Sequence, residues 1–291
     1  MTPIAFAAIG VSIGLISVAG ARTFPKGTFG GVVTGGLFAL TPLLWLQAQH
    51  SPARLVPLPF VAAWLLAVAR FQGARSPWWP ALAGAVLGLG AYTSYASVVM
   101  MPLFLLLTIA VVGYARALPS RHIYGMVAAF AVTVSPFAVL LIRHPDFYRQ
   151  TVNAFHLYDA NLFSPRQGVR EMASWVGLTA RSEVYYDYFN PAFLFLTGRV
   201  LLFPLAVLVP AGLVQIVSDE TTPLARLSMA GFLAAPFAAS LTAQAPTDGR
   251  ILFITPFAAI VSAYGLKRLA AWLRRASFAG GSARLARSRR L

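Results

Sequence analysis

Apolar residues fall in long blocks along this chain, cut by short polar punctuation. A helix that crosses lipid needs about 20 largely apolar residues. Blocks of that kind lie at roughly 2–20, 30–48, 55–70, 80–95, 97–115, 123–142, 199–218, 225–243 and 251–266. The pattern predicts an all-α polytopic membrane protein with about nine transmembrane helices. The stretch 76–115 carries no charge and is too long for one span. It reads as two helices joined by a tight outer turn near Tyr95, or as one broken helix, which makes the count eight. GGVVTGG at 30–36 and GAVLGLG at 84–90 sit inside blocks, where small residues let helices approach closely.

Composition agrees with the pattern. Of 291 residues, 58% are hydrophobic and 11% charged, against roughly 25% charged in a soluble domain. Mean hydropathy is +0.71. Net charge is +15 and the pI about 11.2. Nucleic acid is not the expected partner, because the bases sit in short loops and a tail between apolar blocks rather than on a folded basic face. There is no cysteine, which removes disulfides, thiolate metal sites and Cys nucleophiles. No cleavable signal peptide is evident, since Arg22 and Lys26 follow the first block instead of preceding it.

The bases also predict orientation. Arg22 with Lys26, Arg70 with Arg75, and Arg116 with Arg121 fall on the same side when nine helices are counted. So does a tail holding Lys267, Arg268, Arg274, Arg275, Arg284, Arg287, Arg289 and Arg290. That side is the cytoplasmic one, with the N-terminus outside. The expected layout is a transmembrane region 1–266, one large outer loop 143–198, and a basic cytoplasmic tail 267–291. Asp219 and Glu220 fall on the inner side, which departs from the trend. The outer loop holds Trp175, Tyr185, Tyr186, Tyr188 and Phe189. This aromatic content predicts one or two short helices along the membrane surface. KRLAAWLRR at 267–275 reads as a basic amphipathic helix resting on anionic lipid, an anchor rather than a site.

Candidate chemistry is limited by the acids. The chain has eight, and the first is Asp146. Five of them, Asp146, Asp159, Glu171, Glu183 and Asp187, lie in 143–198. No Walker-type loop, GxSxG, HExxH or Cys/His cluster occurs. RHPDFYRQ at 143–150 is the densest polar patch. Arg143, His144 and Arg149 suit a phosphate or diphosphate at the lipid surface, with Asp146 to orient them; a stop-transfer cluster with snorkelling Arg fits equally. Arg54, in QHSPAR at 49–54, lies on the outer side against the charge trend, although Ser51 and Pro52 also make an ordinary turn. In DGR at 248–250, Asp248 and Arg250 read as a local pair. Tyr92 and Tyr95 read as interfacial anchors.

In order along the chain, several strings carry a resemblance. They are GLFALTPLLWLQAQHSPARLVPLPF at 36–60, LAGAVLGLGAYTSYASVVMMPLF at 82–104, IRHPDFYRQTVNAF at 142–155, YFNPAFLFLTG at 188–198 and TDGRILFITPFAAIVSAYGL at 247–266. Together they resemble bacterial membrane glycosyltransferases of the GT-C superfamily, relatives of protein O-mannosyltransferases and lipid A aminoarabinose transferases. The resemblance implies transfer of a sugar from a polyprenyl-phosphate donor to a protein, lipid or glycan, outside a bacterial cytoplasmic (inner) membrane. It implies phosphate contacts at Arg54, Arg143, His144, Arg149 and Arg250. A divalent metal neutralises phosphate in those members that use one.

The chain also departs from that pattern. The family usually opens with a helix and a first outer loop bearing the catalytic acid, and this chain resembles the part that follows. A base usual after YTYxA is missing from ASVVMM at 96–101. A catalytic base, if present, comes from Asp146, Asp159, Glu171, Glu183, Asp187 or Asp248; Asp146 is nearest in sequence to the expected phosphate contacts. Two other functions remain: an inactive relative that binds polyprenyl-phosphate lipid or partners a complete enzyme, and a transporter or flippase. No clear intramembrane acid is present for proton coupling.

Overall fold

The structure, a computed structural model, describes residues 2–288 apart from 25–26, 72–75, 116–117, 145–151, 154–156, 159–162, 221 and 243; for 23 and 276–288 it describes the backbone alone. The chain forms α1 (Pro3–Thr23), α2 (Gly27–Ala39), α3 (Pro42–His50), a 3₁₀ turn at Pro52–Leu55, α4 (Pro57–Ala69), α5 (Trp78–Gly90), α6 (Tyr95–Tyr114) and α7 (Ser120–Arg143). After these come α8 (Pro165–Met172), α9 (Trp175–Asp187), a π turn at Ala192–Leu196, α10 (Leu205–Asp219), α11 (Pro223–Ala234), α12 (Phe237–Ser240), a 3₁₀ turn at Asp248–Arg250 and α13 (Ile254–Ser288). No strand occurs among the described residues.

Every predicted block is helical over much of its length, but among the described residues span length is reached four to five times rather than nine. Pro3–Arg22, Pro52–Ala69, Tyr95–Tyr114 and Ser120–Arg143 are long and apolar enough to cross a membrane. The α2–α3 pair, bent by 45°, would make a fifth. The bend has a cause in the sequence: Pro42 lacks the N–H that would continue the ladder. Elsewhere the predicted blocks are shorter. α5 has 13 residues, α10 has 15 and α11 has 12. Proline again marks the ends, at Pro77, Pro204, Pro223 and Pro236. The uncharged stretch 76–115 is two helices, separated at 91–94 with Ser94 capping α6 through a bond from the Ser97 N–H.

Packing runs from α7 through α5 and α4 to α1, α2 and α13, with α10 and α11 against α13. The centre is aromatic. Trp64 stacks on Phe104 at 5.0 Å, and Phe257 meets both rings edge-on. The Trp64 indole N–H, which needs a partner when buried, donates to Thr108 Oγ1 at 3.2 Å.

Close approach depends on glycine where the sequence predicts it. A Cβ on Gly84 would stand 2.0 Å from the Met126 carbonyl oxygen, and one on Gly88 1.8 Å from Thr133 Oγ1. One such contact lies outside the predicted motifs. A Cβ on Gly212 would fall 1.9 Å from the Val261 carbonyl and one on Gly265 2.0 Å from that of Leu208. α10 and α13 therefore touch backbone to backbone.

α7 is held differently. The Tyr92 hydroxyl donates to the Thr133 carbonyl at 2.8 Å and accepts from the Phe137 N–H at 3.2 Å. A regular helix would pair those two backbone groups with each other. Pro136 lies between them and has no N–H for the Val132 carbonyl, which Ser135 Oγ bonds instead at 2.8 Å. Tyr92 therefore clasps α7 across Pro136, a contact that the sequence reading of this residue did not include.

Residues 163–198 carry the short helices α8 and α9, whose positions agree with short helical segments in that stretch. α9 is tied down by Arg181, which donates to the carbonyls of Leu241, Gly177 and Leu157 at 2.9–3.1 Å. The Tyr185 hydroxyl donates to the Leu233 carbonyl at 2.7 Å. Burial lowers the Arg181 pKa from its ordinary value, and Glu171 opposes the shift.

Candidate basic cluster ahead of the last helix

The polar segment 244–250 ends where α13 begins. Its backbone is drawn into a 3₁₀ turn, with the Arg250 N–H on the Thr247 carbonyl at 3.1 Å. Three arginines from separate parts of the chain meet this turn.

Arg54 arrives from the 3₁₀ turn after α3. Its guanidinium abuts Gly249: a Cβ there would be 1.8 Å from Arg54 Nη1, and 3.2 Å from Gln47 Nε2. Only glycine leaves room for that approach. Gln47 is 5% exposed, and among the described residues its Oε1 has no hydrogen-bond partner. Arg250 is half-buried. It donates to Thr242 Oγ1 at 2.8 Å and to Gln244 Oε1, so its guanidinium is oriented by two neutral acceptors. Arg199 pairs with Asp248 at 3.4 Å. Gly198 before it has φ +66°, a left-handed conformation that glycine adopts without strain, and this turns the chain toward Asp248. The expected local pair of Asp248 with Arg250 is thus replaced by two separate sets of partners. The reason is reach: Arg199 comes from another segment, and Thr242 with Gln244 holds Arg250.

Tyr188 closes the cluster from the α9 side. It is fully buried, and its hydroxyl accepts from the Thr247 N–H at 3.3 Å. Burial raises the Tyr188 pKa; the Thr247 bond and Arg250 pull the other way.

The sequence-predicted contacts divide. Arg54 and Arg250 are brought to the same turn. Arg143 and His144 are exposed at the end of α7, which packs on α5. Among the described residues no hydrogen bond or ion pair joins them to the Arg54–Arg250 cluster. Arg149 and Asp146 lie outside the described residues, as does Asp159. Glu171, Glu183 and Asp187 are exposed on α8 and α9. Asp248 is the carboxylate that the cluster does contain. Sequence reasoning missed Arg199 and Gln47. The glycine before Arg199 was a visible signal, whereas Gln47 sits within an apolar helix and gave none.

Chemically, the cluster suits an anion. Guanidinium groups present paired donors to phosphate or carboxylate oxygens, and α13 begins with its positive end facing the turn. It does not suit a divalent cation, because its one carboxylate, Asp248, is paired with Arg199 and the turn carries two further guanidinium groups. Among the described residues no three His, Asp or Glu side chains gather as a metal site would require. No family model, curated protein or solved structure matches this chain.

Proposed function

We propose that the chain is a membrane glycosyltransferase-like protein that takes a sugar from a polyprenyl-phosphate donor at the membrane face where the 244–250 turn lies. The carrying observation is the meeting of Arg54, Arg199 and Arg250 around Asp248 and Gly249. Arg54 and Arg250 bind the donor phosphate in this reading, and Asp248 takes the acceptor proton once Arg199 releases it. The GT-C resemblance supplies the reaction class, and the described helices supply four to five candidate spans. A nine-helix topology, the inner membrane and a cytoplasmic C-terminus belong to the same proposal.

A second reading is favoured by one contact. Asp248 is already occupied by Arg199, which fits a protein that binds the lipid donor without transferring its sugar. Binding of a radiolabelled polyprenyl-phosphate sugar to the purified protein, followed by its transfer, separates the two. Arg54→Gln and Arg250→Gln should each weaken binding about tenfold or more, as loss of a charge-assisted bond does. Asp248→Asn should keep binding and abolish transfer if the protein is an enzyme. Unaltered binding in both arginine variants would remove the phosphate assignment.

A further inference from the structure

Two helix faces meet midway along α13, beyond its apolar stretch as seen from the arginine cluster. Gln215, Ser218 and Asp219 occupy the last turn of α10. Arg268, Ala271, Trp272 and Arg275 lie at i, i+3, i+4 and i+7 on α13, which is one helix face. Between them is an open hollow of about 320 Å³ lined by these residues. From residue 254 to 268, at about 1.5 Å per residue, the separation from the start of α13 is about 21 Å.

Charge decides what the hollow accepts. Lys267 is engaged by Glu220, which leaves Arg268 and Arg275 facing the space beside Asp219. Arg268 is steadied by Gln215 Oε1 at 3.4 Å. Two guanidinium groups less one carboxylate leave a single positive charge. That matches a phosphodiester, with one negative charge, better than a phosphomonoester. Asp219 and Gln215 add acceptors for a hydroxyl beside the phosphate. A quaternary ammonium offers no proton to them, and a primary ammonium brings a second positive charge toward the arginines. Trp272 is 64% exposed and Leu273 59%, an apolar surface at the same level, as expected where a protein meets the boundary of a bilayer.

We infer that this hollow binds the headgroup of an anionic phospholipid, a phosphodiester bearing a hydroxylated head such as glycerol, with its acyl chains along α10 and α13. The inference rests on the chain lying in a bilayer. It is independent of sugar transfer, so the donor-binding experiment can fail without affecting it.

The test uses the full chain in nanodiscs of phosphatidylcholine. Phosphatidylglycerol, phosphatidylethanolamine or phosphatidylcholine with brominated chains is added in turn, and tryptophan quenching is read. Because the chain has six Trp, Trp272→Phe defines the contribution of that ring. Brominated phosphatidylglycerol should quench it at mole fractions where the other two lipids do not. The double variant Arg268→Gln/Arg275→Gln, checked by size-exclusion elution and helical circular dichroism, should need at least about tenfold more lipid. Arg284→Gln, the same loss of charge farther along the tail, should leave quenching unchanged. Equal quenching by all three lipids, or full retention in the double variant, would overturn the site. Displacement of phosphatidylglycerol by millimolar glycerol phosphate would assign the hollow to a soluble anion and overturn the lipid.

Discussion

Gly249 is the residue on which the arginine cluster turns. The atom that a Cβ would strike is the tip of Arg54, a flexible side chain, so substitution displaces the guanidinium and spares the backbone. Gly249→Ala should elute and melt like the parent while donor binding falls about tenfold, the scale of one charge-assisted bond; parental affinity would show that Arg54 is not a contact. Tyr188 makes a different prediction. Its pKa is raised in the fold from an unfolded value of about 10. The folded state therefore holds the proton more tightly, and this contribution to stability is complete below pH 10. It is lost as pH rises through the folded pKa. Tyr188→Phe should make the loss of thermal stability above pH 10 shallower. Sequence made Arg54 conspicuous because it is a base where the charge trend expects none, and DGR because it leads directly into an apolar block. Neither signal contains their contact, which joins positions about 195 residues apart along the chain.

At the scale of elements, the apolar blocks located the helices well and their ends less well. A block is defined by hydropathy, whereas a helix ends where a proline withholds its N–H or a cap competes. α5, α10 and α11 are shorter than their blocks for that reason. The glycine motif at 84–90 foretold a close helix contact though not its partner α7, because small residues repeated every four positions make one flat stripe. The α10–α13 contact rests on single glycines, Gly212 and Gly265, which form no motif. The Tyr92 clasp was also invisible, since a tyrosine near the end of an apolar block has an ordinary reason to be there. Its consequence for α7 is mechanical. Removing the hydroxyl takes a partner from both the Thr133 carbonyl and the Phe137 N–H, one on each side of Pro136. The chain has no cysteine, so Leu89→Cys and Ile142→Cys can carry spin labels without background. Both positions are exposed. Tyr92→Phe should shift the distance between the labels, measured by pulsed electron paramagnetic resonance. An unchanged distribution would mean that Pro136 alone sets the shape of α7.

For the whole molecule, charge is arranged by ends. The two acids that broke the sequence trend are accounted for by the tail: Glu220 meets Lys267, and Asp219 faces the hollow with Arg268 and Arg275. α13, one helix of 35 residues about 52 Å long, joins the two polar regions by its first part and runs on beyond the second. Such a rod fixes the spacing of what it carries. Arg250 leads into it and Arg268 follows its apolar stretch, roughly 21 Å along the axis from residue 254, while a typical hydrocarbon core is about 30 Å thick. A bilayer of that thickness must dimple, or Arg268 must stretch toward the headgroups, at a cost of a fraction of a kcal/mol for each ångström of mismatch. Under the proposed placement in a bilayer, this spacing makes the protein sensitive to membrane thickness. Donor affinity measured across bilayers of increasing acyl length should peak in the thin ones and decline as the chains lengthen. A flat response would mean that tilt of the helix absorbs the mismatch.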